Sequence, residues 1–454
     1  MSRRNRITLV CAVIGVLIGG ALGLRWARER VRQQARTNPL VEKLFSRVTR
    51  GAAWSSTDKL INALQERLRI KSTDAQALVQ LGDVYLQKAR ETGDPTYYTK
   101  AEGVLRKALD LQPQRDDAMS VMGTLCLARH QFREALDWGQ RAQKMNLYSA
   151  RAYGVIGDAY VELGEYPNAA ETIQRMVNLR PDLSSYSRVS HVRELFGDVE
   201  GAIQAMKSAV AAGGPAAENT QWCRVQLGHL YFNSGQLDEA VAEYQQAVAT
   251  LPNYVHALAG LARVLAARKD YEGAIILYTK AVESVPLPEY VIALGDVYQA
   301  AGQTAKAAQQ YELVRAMEQL YRANGVEMDM EMALFDADHQ SRLPEAVARA
   351  RRAMAQRPSI YAADVLAWTL YKSGQPREAL DASRKALRLG TKDALLLFHA
   401  GMICERLGDV EQARMYLDQC LSINPQFSVR HADTAGRTLA RLRGRSKSSV
   451  SLRK

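Results

Sequence analysis

Small and large apolar side chains recur along residues 75–428 with a period of about 34 residues. The unit lengths range from 33 to 41 residues, because three units carry insertions. In the third unit Ala169 follows Gly157 by twelve positions, and Pro181 ends the unit. One reference position, usually filled by a small residue, is occupied in the ten units by Gly82, Gly123, Gly157, Ser190, Gly228, Ala262, Gly295, Leu334, Ala367 and Gly401.

This spacing predicts a pair of antiparallel helices in every unit. Two small residues twelve positions apart let the helices of a pair approach closely, and the larger apolar residues pack against the next unit. Proline at the end of a unit cannot continue the second helix. No unit can bury its apolar face alone, so the neighbours must stack, and the pattern predicts an all-α array without strands.

The repeat resembles the tetratricopeptide repeat (TPR) family over residues 75–428. This resemblance implies a right-handed superhelix, an α-solenoid of about ten helix-turn-helix units. The chain is also similar to a group of uncharacterised bacterial TPR proteins that have an N-terminal anchor or export segment. The segments that carry this likeness are RETGDPTYYTKAE, SRVSHVRELFGD, LPEYVIALGD, FDADH, DVLAWTLY and LGTKDALLLFHAG.

The segment before the array contains an uncharged apolar run over residues 7–24. Its 18 residues are just long enough for a transmembrane helix, which would follow a basic tail over 1–6. A cleaved signal peptide is the alternative, but the arginines that follow residue 24 favour an uncleaved anchor. Gly15, Gly19 and Gly23 would form a stripe on such a helix that favours dimerisation or docking of another membrane helix; glycine is also common in spanning helices generally.

Charge is concentrated at the two ends of the chain. The net charge is +12, of which residues 1–36 and 429–454 each hold +7, so the body is almost neutral. A neutral body argues against nucleic-acid binding, whereas basic ends favour contact with anionic lipid. We therefore expect a single-pass membrane protein, most plausibly of a bacterial inner membrane. Five arginines after the span against three before it favour, weakly, a cytoplasmic body.

The array is flanked by segments that differ from it in composition. Residues 25–74 are predicted to form a basic juxtamembrane segment followed by capping helices, and residues 429–454 a capping helix with a basic tail. Terminal repeats need a polar outer face, which these helices supply.

No sequence motif indicates catalysis. The chain lacks a phosphate-binding GxxxxGK[ST] loop, a GxSxG elbow and an HExxH helix. Its five cysteines form no CxxC pair and are expected to be small buried side chains. Asp336, Asp338 and His339 lie close together, but a turn or helix end is a better interpretation than a metal site. We therefore expect no enzyme activity, no cofactor and no metal.

The TPR resemblance implies that four positions of each unit point into the concave face. In this sequence those positions place two clusters of aromatic, histidine and acidic side chains in the groove: His191, Trp222, His229, Phe232 and His256 in the first, and Tyr361, Asp364, Trp368, Tyr371 and Phe398 in the second. Exposed aromatic residues at a groove are typical of peptide-binding hot spots. The two clusters are hence predicted to contact an extended or helical segment of a partner, unless neighbouring helices bury them.

The sequence indicates a membrane-anchored scaffold or adaptor that binds protein partners in its concave groove. A secreted or periplasmic TPR protein with a cleaved leader is an alternative. A regulatory arm of an enzyme complex is a second alternative, but no segment of the chain is long enough for a catalytic domain.

Overall fold

The computed structural model describes residues 55–215 and 217–451, and every regular element in that part of the chain is a helix. The helices, numbered here in chain order, are α1 Ser55–Ile70, α2 Ala75–Thr92, α3 Thr96–Leu111, α4 Asp116–Ala128, α5 Phe132–Met145, α6 Ala150–Glu162, α7 Tyr166–Leu179, α8 Leu183–Leu195, α9 Val199–Ala212, α10 Glu218–Asn233, α11 Leu237–Thr250, α12 Val255–Ala267, α13 Tyr271–Ser284, α14 Pro288–Ala300, α15 Thr304–Ala323, α16 Asp329–Asp338, α17 Leu343–Gln356, α18 Ile360–Lys372, α19 Pro376–Ala386, α20 Ala394–Leu407, α21 Val410–Ile423 and α22 Ala432–Ser451. The predicted all-α architecture is confirmed.

The helices α2 to α21 form ten consecutive pairs, each made of an even-numbered helix packed on the one that follows. Small side chains allow this packing, as predicted. A Cβ atom on Gly157 would lie 2.7 Å from the side chain of Ile173, and one on Gly228 would lie 2.4 Å from the ring of Tyr244. A larger residue at either glycine would therefore separate the helices of its pair.

Local sequence sets where many of the helices begin. Asp74, Asp198, Asp270 and Asp409 each precede a helix, and each side chain accepts a hydrogen bond from the backbone N–H three residues later. These caps satisfy donors that the first helical turn leaves without partners. Between the helices of a pair the backbone usually turns through a left-handed residue, for example Gly164 with φ 72°.

A seam joins units that are distant in the sequence. The turn between the two helices of a unit contacts the loop at the end of another unit, five units further along the chain. The turns of units one to five therefore meet the loops that follow units six to ten. At three of these contacts a Cβ on the turn glycine would lie within 2.8 Å of a backbone carbonyl oxygen: Gly164 at Pro358, Gly197 at Gly390 and Gly235 at Ile423. The seam brings successive stretches of the array together side by side.

Hydrogen bonds between distant units hold this seam. Several of them span more than 190 residues of sequence; for example, Tyr321 Oη donates to Gly93 O at 3.1 Å, Ile360 N donates to Tyr166 Oη at 2.7 Å, and Asn424 Nδ2 donates to Phe232 O at 2.7 Å. An ion pair at 2.7 Å between Arg357 and Glu162 adds to them. An array of this kind usually contacts only its neighbours, so the seam is an additional constraint on the fold.

The predicted localisation as a single-pass membrane protein requires correction. Within residues 55–215 and 217–451 no helix combines the length and the apolar character needed to cross a membrane. This finding overturns the prediction of a spanning protein. The apolar run 7–24, its glycines Gly15, Gly19 and Gly23, and the basic tail 1–6 lie outside the described residues.

Candidate partner-binding groove

Three adjoining cavities are lined mainly by the first helices of the middle units. Together they are called the inner groove. The first cavity, of about 660 Å³, contains Trp222 and His191, and the second, of about 500 Å³, contains His229. The third, of about 430 Å³, is lined by Tyr98, Tyr321 and several apolar residues. The cavities adjoin because His256 lines both the first and the second, and Tyr98 and Tyr321 line both the first and the third.

Among the large apolar side chains that line the first cavity, Trp222 has the largest exposed fraction. It lies on α10 between Gln221 and Cys223, both fully buried, and 40% of its own surface is accessible. An exposed indole inside a concave cavity offers apolar area and one N–H donor to a ligand. Trp222 thus lies in the inner groove, on the first helix of unit five.

The first cavity is also lined by a fixed cation, Arg188. Arg188 on α8 donates two hydrogen bonds to Asp158, at 2.9 and 2.7 Å, which hold its guanidinium in place. His191, one helical turn further along α8, lies half-exposed with Nδ1 3.7 Å from Glu194. The surrounding protein opposes protonation of His191, but Glu194, Glu162 and Asp158 outweigh this effect and raise its pKa. The first cavity therefore combines an exposed aromatic face with cationic groups.

His229 and His256 are partly buried and are each fixed by a tyrosine hydroxyl. His229 Nδ1 lies 2.7 Å from Tyr244 Oη, and His256 Nδ1 lies 2.6 Å from Tyr290 Oη. Burial, with a smaller contribution from Arg263, lowers the pKa of His229 to about 3. Burial also lowers the pKa of His256. Both rings are therefore neutral near pH 7 and can present only neutral hydrogen-bonding atoms to the groove.

Four of the ten predicted contact residues expose almost no surface. Phe232, Asp364, Trp368 and Phe398 are all buried, with at most 4% of their surface accessible. Asp364, Trp368 and Phe398 line none of the three cavities, which corrects their prediction as exposed groove residues, whereas Phe232 still lines the second cavity. Tyr361 and Tyr371 are half-buried, and the Tyr371 ring stacks on Trp368 with centroids 5.0 Å apart.

The loop between α21 and α22 explains the burial of the second cluster. Phe427 packs on Phe398 with ring centroids 5.6 Å apart, and His431 stacks on the same ring at 5.0 Å. Asp338 ties this layer to Trp368, whose Nε1 donates to its carboxylate at 2.7 Å, while His431 Nε2 lies 3.2 Å from the same oxygen. The sequence pattern placed these residues on the concave side, but the chain itself covers them there.

Asp364 and His399 form a separate buried pair beneath this layer. His399 Nδ1 lies 2.9 and 3.0 Å from the two carboxylate oxygens of Asp364, and Trp368 stacks on the imidazole with centroids 4.0 Å apart. Trp368 is thus fixed by its hydrogen bond to Asp338 and by its stacking on His399. Its side chain consequently serves the packing of units nine and ten.

Sequence reasoning missed three residues that shape the groove. Glu289 lines both the second and the third cavity, and Tyr98 and Tyr321 line the third from the opposite side. Tyr98 and Tyr321 lie on the second helices of units one and seven, which the family pattern does not assign to the concave face. They reach the groove only because the seam brings unit one beside units six and seven.

The structure gives no sign of a reactive or metal-binding centre in the part of the chain that it describes. There, no three histidine, cysteine, aspartate or glutamate side chains are grouped so that they could hold a metal ion. The thiols of Cys126, Cys223, Cys404 and Cys420 are free and buried, as predicted. Burial raises the pKa of Cys126, Cys223 and Cys420 to about 12, so these thiols stay protonated and unreactive.

Two family descriptions match parts of this sequence. Residues 127–184 and 225–287 match the family described as "Tetratricopeptide repeat". Residues 339–420 match "Anaphase-promoting complex, cyclosome, subunit 3". The matched ranges all lie within the array of helix pairs, in its early, middle and late units.

Curated relatives resemble the chain over part of its length. Anaphase-promoting complex subunit 3 of Schizosaccharomyces pombe is 22% identical over 247 residues, which cover 54% of this chain and 36% of that protein. The probable biofilm formation methyltransferase WspC of Pseudomonas aeruginosa is 35% identical over 127 residues, covering 26% of this chain and 29% of that protein. The chain thus spans about a third of the length of these relatives.

Among solved structures, a thermophilic TPR protein of Thermus thermophilus is similar to part of the chain. It shares 23% sequence identity, with a TM-score of 0.37, and the similarity covers 44% of this chain and 99% of that one.

Proposed function

This chain is a tetratricopeptide-repeat protein, and we propose that it is a scaffold that binds a segment of a protein partner in its inner groove. The proposal is narrower than the sequence prediction, because it places the contact at the first cluster alone. The second cluster, around Trp368, lies under the loop between α21 and α22 and serves the fold.

The observation that carries this proposal is the exposure of Trp222 inside the first cavity. Indole rings supply a large share of binding energy where they anchor in a concave site, because they bury much apolar area with few rotatable bonds. Around Trp222 the cavity offers Arg188, already held by Asp158, and the half-exposed His191. Such a preformed arrangement reduces the entropy that a partner segment must lose on binding.

The cavity dimensions favour an extended segment over a folded domain. The three cavities hold about 660, 500 and 430 Å³, volumes that suit one or a few side chains each. Because they adjoin, an extended segment could place successive side chains in them. The groove offers no catalytic constellation in the described residues, so we assign it binding without chemistry.

A photo-crosslinking amino acid placed at position 222 in the full-length chain tests this proposal in cells. We expect a small set of protein adducts at this position. The matched control is position 148, where Tyr148 is 82% exposed but lies outside the three cavities. Adducts at 148 as abundant and of the same identity as those at 222, or no adducts at 222, would contradict the proposed site.

A further inference from the structure

The inner groove carries an excess of negative charge in a chain whose net charge is +12. Among the described residues that line the three cavities there are seven carboxylates and three arginines, with no lysine. The carboxylates are Asp158, Glu218, Glu289, Asp296, Glu331, Asp338 and Asp393, and the arginines are Arg90, Arg188 and Arg263. A ligand of complementary charge is therefore a cation.

Glu289 is the carboxylate best placed to meet such a cation. It lies in the first turn of α14 and lines the second and third cavities. Other carboxylates of the groove are already engaged, such as Asp158 with Arg188. For Glu289 no cation lies within ion-pairing distance in the part of the chain that the structure describes. The Glu289 side chain is exposed within the groove, yet the surrounding protein and, less strongly, the charge of Glu331 raise its pKa, so a cation beside it would relieve an electrostatic cost.

Aromatic residues line the same cavities as this carboxylate. Tyr98 and Tyr321 line the third cavity together with Glu289, and Tyr290 lines the second together with it. Burial and then the charge of Glu289 raise the pKa of Tyr321 and Tyr290. The Tyr321 ring is held in place by its hydrogen bond to Gly93 O at 3.1 Å. A cation beside several aromatic faces and one carboxylate gains from both kinds of interaction.

Besides Glu289 and the tyrosines, the third cavity is lined mostly by apolar residues, together with Glu331, Asp338 and two histidines. Ile292, Met328, Met332 and Phe335 line it beyond the tyrosines. A compact charge on a flexible hydrocarbon stem fits this combination, because the stem can cover the apolar wall while the charge reaches Glu289. The lysine side chain has this form.

We propose that the pocket formed by Glu289, Tyr98 and Tyr321 binds the alkylammonium group of a lysine side chain in the partner segment. This inference rests on the proposed function, since it names the chemistry of the segment that enters the groove. Apolar residues flanking that lysine would occupy the walls of the adjoining cavities. The pocket would then select partner segments that contain a lysine between apolar residues.

Glu289 also has a role that requires no ligand. A carboxylate in the first turn of a helix interacts favourably with the helix dipole. If this were its whole contribution, removing the charge would lower the melting temperature and leave ligand selectivity unchanged. The experiment must therefore measure selectivity and stability side by side.

Calorimetric titration of the full-length protein with a matched pair of peptides tests the proposal. The first probe is a capped pentapeptide, Phe-Leu-Lys-Leu-Phe, and the second carries norleucine in place of the lysine, which keeps the stem and removes the charge. We expect the wild-type chain to bind the lysine peptide at least tenfold more tightly. Glu289→Gln and Tyr98→Leu should each abolish most of this preference. Glu283→Gln, which removes an exposed carboxylate on α13 outside the cavities, should preserve it.

Glu289→Gln should fold, because the side chain is exposed within the groove and the amide has nearly the same size as the carboxylate; circular dichroism checks this. Equal affinity of the wild-type chain for the two peptides overturns the proposal, as does an unchanged preference in Glu289→Gln. Binding of pentylammonium chloride without any binding of the lysine peptide would overturn the assignment to a protein segment. Crosslinks at position 222 combined with no lysine preference would reject this pocket alone and leave the scaffold function standing.

Discussion

Gly164 lies against the carbonyl oxygen of Pro358, although the two residues are separated by five helix pairs. A Cβ atom on Gly164 would be 2.3 Å from that oxygen, a distance at which the backbone would have to move. The backbone of Gly164 is also left-handed, with φ 72°. Two independent requirements therefore select glycine at this turn, and the second one exists only because the array contacts itself.

We predict that Gly164→Ala destabilises the chain by about 3 kcal/mol or more. About 1 kcal/mol of this comes from placing a Cβ in a left-handed backbone, and the rest from displacing the loop at Pro358. Equilibrium urea unfolding followed by circular dichroism measures the loss. The substitution should also increase hydrogen exchange in α18, which follows Pro358, although α18 belongs to a distant unit.

Gly374→Ala is the matched control for this prediction. Gly374 occupies the equivalent turn of unit nine with φ 77°, but no atom of the residues that the structure describes lies within 4 Å of a Cβ placed there. Gly374→Ala should therefore lower the free energy of unfolding by only about 1 kcal/mol, the cost of placing a Cβ in a left-handed backbone. If the two substitutions have the same effect, the seam contributes nothing to stability.

Substitution of the two tryptophans in the predicted clusters should have different effects on stability and on partner binding. Trp222 is 40% exposed in the first cavity, whereas Trp368 is 1% exposed and donates a hydrogen bond to Asp338. We expect Trp368→Ala to lower stability by about 3–5 kcal/mol, the range for deleting a large buried aromatic side chain. Trp222→Ala should change stability by less than about 1 kcal/mol and should reduce partner capture at least tenfold.

Thermal melts and affinity capture from cells distinguish these outcomes. Tyr148→Ala serves as the control for Trp222→Ala, because it also removes an exposed aromatic ring but lies outside the cavities. A loss of stability in Trp222→Ala comparable to that in Trp368→Ala would show that Trp222 is a core residue. Capture unaffected by Trp222→Ala would remove it from the binding surface.

The repeat pattern was sufficient to predict the helix pairs, because each pair is determined by residues close in sequence. Gly157 meets Ile173 and Gly228 meets Tyr244 within their own pairs, and a period of about 34 residues encodes such contacts directly. The inward-facing position of Trp222 follows from the same local geometry.

The seam could not be predicted in this way. Each unit is rotated slightly relative to the one before it, and the loop that Gly164 meets is determined by the sum of five such rotations. The sequence of one unit does not specify that sum. The burial of Trp368 and the entry of Tyr98 into the groove both depend on contacts between distant segments. The prediction of Trp368 as a groove residue assumed an open concave face, and that assumption failed where the loop between α21 and α22 covers it.

Arg430 should act as a clamp between units seven and eight. It lies in the loop between α21 and α22, donates to Asp296 at 2.9 Å and also donates to the backbone carbonyl of Asp338. We predict that Arg430→Ala costs about 3 kcal/mol, at the lower end of the range for breaking a buried ion pair, because the side chain is 21% exposed. Hydrogen exchange should increase in α14 and α16 together.

The control for this clamp is Arg437→Ala. Arg437 lies on α22, and within the described residues its side chain forms only an exposed hydrogen bond to Thr434, so its removal should change stability by less than about 0.5 kcal/mol. Increased exchange confined to α22 in the Arg430 variant would mean that the loop does not couple the two units.

Acid should destabilise the protein through its buried histidines. The pKa of His229 is lowered to about 3, and burial also lowers the pKa of His256 and His431, whereas an unfolded histidine titrates near pH 6.5. Between these values the unfolded chain binds more protons than the folded chain, so the free energy of unfolding decreases as the pH falls. The contribution of these rings to stability is therefore fully present above about pH 7 and is lost progressively below pH 6.5.

His229→Gln should make the melting temperature less dependent on pH between 7 and 5, because glutamine keeps a polar partner for Tyr244 and does not titrate. His191 supplies the opposite test. Its folded pKa is raised by Glu194 and nearby carboxylates, so it stabilises the fold below pH 6.5 and loses this effect as the pH rises through the folded pKa. His191→Gln should therefore steepen the acid-induced fall in melting temperature. Parallel melting curves for both variants and the wild-type chain would contradict a lowered pKa for His229 and a raised pKa for His191.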